Sequence, residues 1–429
     1  MKQLLTTVLT LIFVGVLYAQ QPKVNQDRLE DRIFDLAEFG LQENGETERV
    51  AFSDADIDAR NWAIKTLKGY GMEVKVDAAG NIIGKREGTD SSKKPIAFGS
   101  HIDRVPNGGN YDGCVGSMAA LEVIATLNEN NIKTNHPLEV IIFPNEEGGV
   151  MGSRAMAGNL GKSALSVVNS TGYSMGEGIM RIGGDTTKLA NAKREKGSLA
   201  AFLELHIEQG GKLEKENLDI GVVEGIVGLN WWDVVFTGFA NHAGTTPMDA
   251  RQDALLAAAK YIVAVNEITN SFEGTQVGTV GRIKAEPGAP NVIPGKVTAS
   301  LEIRDLSSEV IQKVYEAIKK KTEEIAKASN VSVEFLPLDT TAEPALTDTN
   351  IQKEIESSAK VLGLSYQYMP SGAGHDAQDI SRFAPVGMIF VPSKGGISHS
   401  PKEFTSAEDM ANGANVLLQT ILSLDKKLD

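Results

Sequence analysis

The sequence predicts an α/β protein with a mostly parallel sheet flanked by helices, interrupted by an inserted α+β unit. Three observations carry this. Short, continuously apolar segments alternate with helical segments in the first half of the chain and again near its end. Between these regions lies a stretch whose strands alternate apolar with polar residues, as half-exposed strands do. The 429 residues, 41% of them hydrophobic and 23% charged, suffice for two units with cores of their own.

The first twenty residues stand apart. Lys2 precedes the apolar run Leu4–Leu17, and Tyr18-Ala19-Gln20-Gln21 follows it. A positive start, an apolar core and a small residue at the exit make a secretory signal peptide. The run is short beside the ~20 residues of a membrane span, and an uncleaved anchor is the alternative. Residues 1–20 are read as the signal segment, and an exported protein, periplasmic or extracellular, is expected. Arg28–Leu41 and Asp54–Tyr70 then have helical spacing. Glu73–Val76, Asn81–Gly84, Ile96–Gly99 and Leu138–Phe143 read as buried strands, and Gly116–Asn128 as a helix.

The middle differs in character. Trp231–Gly238, Val297–Asp305 and Val331–Leu338 alternate as strands, separated by helices Asp253–Ile268 and Ser307–Ala328. This β-α-β-α-β order predicts a small sheet covered on one face by two helices, spanning residues 224–336. It interrupts the α/β unit, which occupies residues 21–223 and 337–429. The second piece contains helix Asn350–Leu362, strand Gly387–Val391 and helix Ser406–Leu424.

A formal net charge of −14 argues against nucleic acid as a partner, because the phosphate backbone requires a basic footprint. The single cysteine, Cys114, makes an intramolecular disulfide impossible, and with no histidine beside it reads as inert. Six histidines are present. His136, in Thr134-Asn135-His136-Pro137, reads as a surface loop residue. The other five lie in polar or glycine-rich sequences.

Strand Ile96–Gly99 runs into Ser100-His101-Ile102-Asp103, which puts a histidine at the strand end, where α/β sheets bind ligands. Asp103 can accept a hydrogen bond from the second ring nitrogen and fix the tautomer; alone, His-x-Asp is a weak signal and reads first as a structural histidine. Asp112 follows in the loop Asn107–Gly113 and, taken alone, reads as an N-cap of the next helix. Strand Leu138–Phe143 leads to Glu146-Glu147. Two adjacent acids at the end of a buried strand repel unless a cation neutralises one, leaving the other to move protons. Phe202–Gly210 presents His206 on an alternating strand, and Ser398-His399-Ser400 follows strand Gly387–Val391. Imidazoles and carboxylates so placed suit zinc, with manganese, cobalt or nickel as substitutes. Neither the number of ions nor a bridging ligand follows from the spacing.

These motifs resemble the carbamoylase branch of the dizinc aminoacylase/carboxypeptidase clan, which includes N-carbamoyl-L-amino acid hydrolases, allantoate amidohydrolases and β-ureidopropionases. The resemblance covers residues 27–424. It rests on Gly99–Asp103, Asn107–Gly113, Asn145–Gly148, His206–Gly210, Asn241–Met248 and Ser371–Ala377 together. It implies two divalent ions bridged by Asp112, with His101 and His206 completing one site and Glu147 and His399 the other. Glu146 would be the general base, and Asp103 would hold His101. The substrate would be an N-carbamoyl-L-amino acid or a related ureide such as allantoate.

The resemblance also makes 21–223 and 337–429 a catalytic domain and the insert a lid and dimerisation domain, so a homodimer is expected. His242 would come from the lid of the partner subunit and stabilise an oxyanion. Asn291 and Gln209 would be further substrate contacts. Arg304, otherwise a surface ion pair with Asp305, would clamp a substrate carboxylate with its fork. His375 is expected in a supporting position beside the metals. Arg104, Cys114 and the short Gly148–Ser153 segment depart from the branch's pattern near the pocket, and so bear on the substrate. A dipeptidase or aminoacylase of the same clan is the alternative activity; a non-catalytic metal- or ureide-binding protein would require loss of a ligand or of the base.

Overall fold

The computed structural model describes residues 21–428 except 44, 46 and 339–341. Residues 1–20, where a signal segment is expected, lie outside the described residues. The first part runs α1 (Gln26–Glu38), α2 (Asp54–Gly69), β1 (Glu73–Val76), β2 (Ile82–Arg86), β3 (Ile96–His101), α3 (Cys114–Glu129), β4 (Leu138–Phe143), α4 (Met151–Ala157), α5 (Met175–Arg181), β5 (Ala201–Ile207), α6 (Lys212–Glu216) and β6 (Ile220–Ile226). The middle comprises β7 (Gly228–Thr237), β8 (Asn241–His242), α7 (Ala254–Ser271), β9 (Val277–Thr279), β10 (Ile283–Glu286), β11 (Val292–Ile293), β12 (Lys296–Asp305), α8 (Ser308–Ala328) and β13 (Ser332–Pro337). The chain then adds β14 (Ala345–Leu346), α9 (Thr349–Leu362), β15 (Tyr366–Ser371), α10 (Asp376–Ile380), β16 (Val386–Val391) and α11 (Ala407–Lys427).

One sheet has the order β1-β2-β4-β3-β5-β16-β6-β14, with β15 alongside β6. Its centre, β4-β3-β5-β16, consists of parallel neighbours. Every residue of these four strands is buried, so β3, β4 and β16 read as largely apolar runs, whereas β5 alternates in sequence because Glu204 and His206 are buried in it as well. One face packs on α1, α3, α9 and α11 through side chains such as Leu29, Leu121, Ile355 and Leu418. The other face meets Met156, Leu213 and Ile380 from α4, α6 and α10. Each fully buried aliphatic side chain contributes about 1.5–3 kcal/mol. The chain visits β3, β4 and β5 in turn, yet β4 and β5 lie on opposite sides of β3. The parallel sheet therefore has its switch point between β3 and β5, where such sheets open a crevice at the carboxyl ends of the strands.

A second, antiparallel sheet, β10-β12-β7-β13 with β9 beside β12, is built from residues of the middle section. Trp232, Val234 and Phe236 of β7 and Val297, Ala299, Leu301 and Ile303 of β12 face α7 and α8. The alternate positions, including Trp231, Glu302 and Arg304, lie on the opposite face. None of the described helices is long and apolar enough to cross a membrane.

The chain leaves the large sheet after Ile226, so residue 224, the expected start of the insert, falls inside β6. Gly221 and Gly225 interrupt the apolar pattern there; a Cβ at Gly221 would press on Phe390 and Met369. Strand β15 escaped the sequence reading because Pro370 sits in it, beside a register shift at Met369/Pro370; proline is tolerated at such bulges and edges. The short strands β9 and β10 were also missed.

Candidate metal centre

The four parallel strands deliver the chemistry-bearing residues to one end of the sheet. β3 ends on His101, β5 carries His206 one residue from its end, and β4 and β16 lead into the segments holding Glu146, Glu147 and His399. Asp112 comes from the loop before α3. It is not the N-cap: Gly113 takes that position at φ 63°, and no side chain caps the helix. Asn145 (φ 53°), Gln209 (φ 57°) and His399 (φ 52°) hold left-handed backbone here. Such strain costs about 1–3 kcal/mol for a non-glycine residue and gathers at functional sites.

Asp112 turns its two oxygens to different partners. Oδ1 lies 3.6 Å from His101 Nε2 and 3.2 Å from His206 Nε2, while Oδ2 lies 3.2 Å from His399 Nε2. His399 Nε2 is also 3.3 Å from Glu147 Oε2. Two donor sets follow, His101–Asp112–His206 and Asp112–Glu147–His399, each with its ligand atoms within 4.8 Å of one another. Glu146 stands beside them, its Oε2 3.7 Å from His101 Nε2.

The tautomers are set from behind. His101 Nδ1 faces the Asp103 carbonyl at 3.1 Å and His206 Nδ1 faces the Ile207 carbonyl at 2.9 Å. A carbonyl can only accept, so Nδ1 carries the proton and Nε2 offers its lone pair to a cation. The Asp103 carboxylate is 3.9 Å from His101 Nδ1, so its backbone carbonyl, not its side chain, orients the ring. The carboxylate instead accepts the Glu146 and Glu147 N–H groups at 3.2 and 3.3 Å. Asp103 thus ties the loops after β3 and β4 together.

Electrostatics match a cation site. Burial works to raise the Asp112 carboxyl, yet the three imidazoles pull it well below the usual range. Burial pushes Glu146 well above its ordinary value, with Asp376, Glu147 and Asp112 adding and His101 opposing. Burial and then Asp112 raise Glu147 to about 7. His399, hydrogen-bonded to Asp112, is lifted to about 9. Three nitrogen and two carboxylate donors with no thiolate suit a borderline divalent ion.

The surroundings were only partly anticipated. Gln209 Nε2 donates to Asp112 Oδ2 at 2.6 Å, so its amide is committed to the centre. Ser398 donates to the same oxygen at 2.9 Å. Glu403, which the sequence reading passed over, accepts the Tyr111 and Asp112 N–H groups at 2.8 and 3.0 Å. The only sequence signal for it was Gly109, whose added Cβ would collide with the Glu403 carboxylate. His375 packs its ring 4.4 Å from that of His206 and meets Ser371 Oγ at 2.8 Å. His136 is fully buried, not a surface residue: its Nδ1 meets the Lys94 carbonyl at 2.7 Å and its backbone N–H donates to Asp425.

A cavity of about 340 Å³ opens onto the centre, lined by Asp112, Glu146, Glu147, Gln209, Arg304 and His399 among others. Gly149 and Val150 of the shortened segment also line it, whereas Arg104 and Cys114 do not. Those two are buried side by side near Arg49, whose Nη2 donates to Cys114 Sγ at 3.2 Å. His242 and Asn291 are exposed at the small two-stranded sheet of β8 and β11, outside the cavity lining. His242 Nδ1 accepts the Gly244 and Thr245 N–H groups at 3.0 and 3.2 Å, so its proton sits on Nε2.

The peptidase family M20/M25/M40 matches residues 97–423. The chain belongs to that family. M20 proteins are metal-dependent, in keeping with the donor sets here. This M20 chain is 41% identical to an N-carbamoyl-L-amino acid amidohydrolase of Geobacillus stearothermophilus, over 94% of its own length and 99% of the relative's. It is 38% identical to a ureidoglycolate hydrolase of Oryza sativa, covering 92% of this chain and 84% of that one. Its fold superposes with a TM-score of 0.88 on an amidase of the hydantoinase/carbamoylase family from Burkholderia multivorans, at 35% identity, covering 94% and 98% of the two chains.

Proposed function

We propose that the protein is a metal-dependent amidohydrolase that cleaves the carbamoyl C–N bond of N-carbamoyl-L-amino acids or related ureides. The observation that carries this is Asp112, whose two oxygens face two separate donor sets with Glu146 alongside. Asp112 would be shared, with His101 and His206 on one side and Glu147 and His399 on the other. Two divalent ions held there, zinc first, would polarise the carbonyl and make water acidic enough to attack near neutral pH. Manganese, cobalt or nickel fits the same donors.

Glu146, raised by burial, takes the proton of the attacking water and returns it to the departing nitrogen. The products are the free amino acid, carbon dioxide and ammonia. Asp103 supports this by holding the Glu146 backbone. Arg304, on the wall of the same cavity, would anchor a substrate carboxylate. His242 donates from Nε2 and suits a developing oxyanion. Its exposure at the β8–β11 sheet, with Asn291, fits a contribution from the insert of a second subunit. The exposed Leu255, Leu256 and Val263 of α7 offer an apolar surface for such a homodimer, which sedimentation would test. Export through residues 1–20 belongs to the same reading and is tested by N-terminal sequencing of secreted material.

The deciding experiment is ammonia release by metal-loaded protein from N-carbamoyl-L-amino acids, allantoate and ureidoglycolate, with dipeptides as the contrast. Glu146→Gln should abolish turnover and keep the metal. Amine release from dipeptides without ammonia from any ureide would overturn the reading.

A further inference from the structure

The Arg304 fork is already engaged within the chain. Its Nε donates to Glu302 Oε1 at 2.8 Å and its Nη2 to Glu302 Oε2 at 3.2 Å. Nη1 donates to the Gly372 carbonyl at 2.7 Å. Two-point pairing is how a guanidinium recognises a carboxylate, so Glu302 holds the place an incoming carboxylate would take. Residues 302 and 304 share one face of β12. Both side chains are about three-quarters shielded, at 25% exposure each.

Across from Glu302 stands its register partner on β7, Trp231. The two line a separate cavity of about 300 Å³ on the open face of the second sheet, together with Thr279, Arg282 and Ser300. The Trp231 indole Nε1 is buried there and has no hydrogen-bond partner among the described residues. Buried indole N–H groups ordinarily find an acceptor. The Asp233 carboxylate, two residues along β7, is taken by Arg282, which leaves Glu302, directly across the ladder from Trp231, as the carboxylate facing the indole.

We propose that Glu302 is a specificity-determining residue: it fills the Arg304 fork until a substrate carboxylate displaces it, and then accepts the Trp231 Nε1–H. The inference rests on the reading of Arg304 as the substrate's anchor. One carboxylate leaves the guanidinium as another arrives, and no covalent bond changes. A ligand without a carboxylate cannot drive the exchange. Affinity for acidic substrates is therefore set by Glu302 as much as by Arg304.

The test is Glu302→Gln. The neutral amide competes less well for the guanidinium, so KM for an N-carbamoyl-L-amino acid should fall about three- to fivefold, with kcat within twofold of wild type. The inhibition constant of the matching N-carbamoyl amino acid amide, which lacks the carboxylate, should stay the same. Titration of the wild type with the carboxylate ligand should change tryptophan emission, and Trp231→Phe or Glu302→Gln should remove that change. An unchanged or higher KM in Glu302→Gln would overturn the proposal, because Glu302 would then be irrelevant or would merely orient Arg304. If the wild type releases no ammonia from any ureide, the functional reading fails on its own. Calorimetric titration of wild type and Glu302→Gln with N-carbamoylglycine still decides the exchange: tighter binding by the variant supports it, and equal or weaker binding refutes it.

Discussion

Replacement of Gly113 by alanine probes the centre at its most crowded point. Gly113 precedes α3 at φ 63°, and the space its Cβ would occupy is filled by the His101 imidazole, Nε2 included. Carbon atoms in optimal contact lie about 3.5–4.0 Å apart, so the ring would have to withdraw by more than about 1 Å. Metal–ligand distances tolerate about 0.2 Å. A Cβ in left-handed backbone adds roughly 1–2 kcal/mol of strain. The His101–Asp112–His206 set should therefore lose its ion, with affinity falling more than about 100-fold, beyond the effect of altering a ligand's supporting contacts. The Asp112–Glu147–His399 set keeps all its ligands. Metal analysis after dialysis, ammonia-release kinetics and thermal melting on the same samples read this out. The expected result is a lower metal content than wild type, lost turnover and a modestly lower Tm. A variant with full metal content and wild-type turnover would refute the placement of His101 against Gly113 and the ligand set built on it.

Two further outcomes follow from buried charge. His399 is lifted to about 9 by its contact with Asp112, and His101 is also raised, its carboxylate neighbours outweighing burial. Because a cation must displace those protons, apparent metal affinity should weaken about tenfold per pH unit for each proton released as pH falls from 8 to 6; competition with a chelating dye would measure it, and a flat profile would count against imidazole ligands. Asp56 is pushed from 3.8 up to about 6 by burial, against the opposing Arg60. A folded-state value above the unfolded one means the native form holds its proton more tightly. The stabilising contribution is therefore complete below about pH 3.8 and is lost as pH rises to about 6, on the order of 2–3 kcal/mol. Asp56→Asn keeps an acceptor for the Phe52 N–H, and melting curves at pH 4 and 6 should show a smaller loss of stability across that window than in wild type.

What the sequence disclosed depended on whether burial leaves a periodic trace. The four central strands are buried on both faces; β3, β4 and β16 therefore read as apolar runs whose ends converge, while β5 reads as alternating and carries His206 within it. His101, Glu146, Glu147, His206 and His399 were legible from those patterns. In the insert, one-sided burial made β7 and β12 legible through alternation. The strand β6 was hidden by its glycines, which make room for neighbouring side chains and so weaken the apolar signal. Strand β15 packs Met369, Tyr366 and Tyr368 on the core, yet Pro370 and the register shift beside it break the trace.

Contacts distant in sequence were illegible for a different reason. Glu403 holds the Asp112 backbone across nearly three hundred residues, and nothing local distinguishes it from a surface acid. Its counterpart in the sequence is an absence of side chain at Gly109, where any Cβ would take the space of the carboxylate. The same holds at Gly113 and His101. Around this centre the glycines mark where another residue's functional group must pass close to the backbone. A Gly-Gly-Asn-Tyr-Asp-Gly loop therefore encodes the positions of His101 and Glu403 as well as that of Asp112. Reading it as a flexible turn loses that information, because its conformational freedom is spent on close approach.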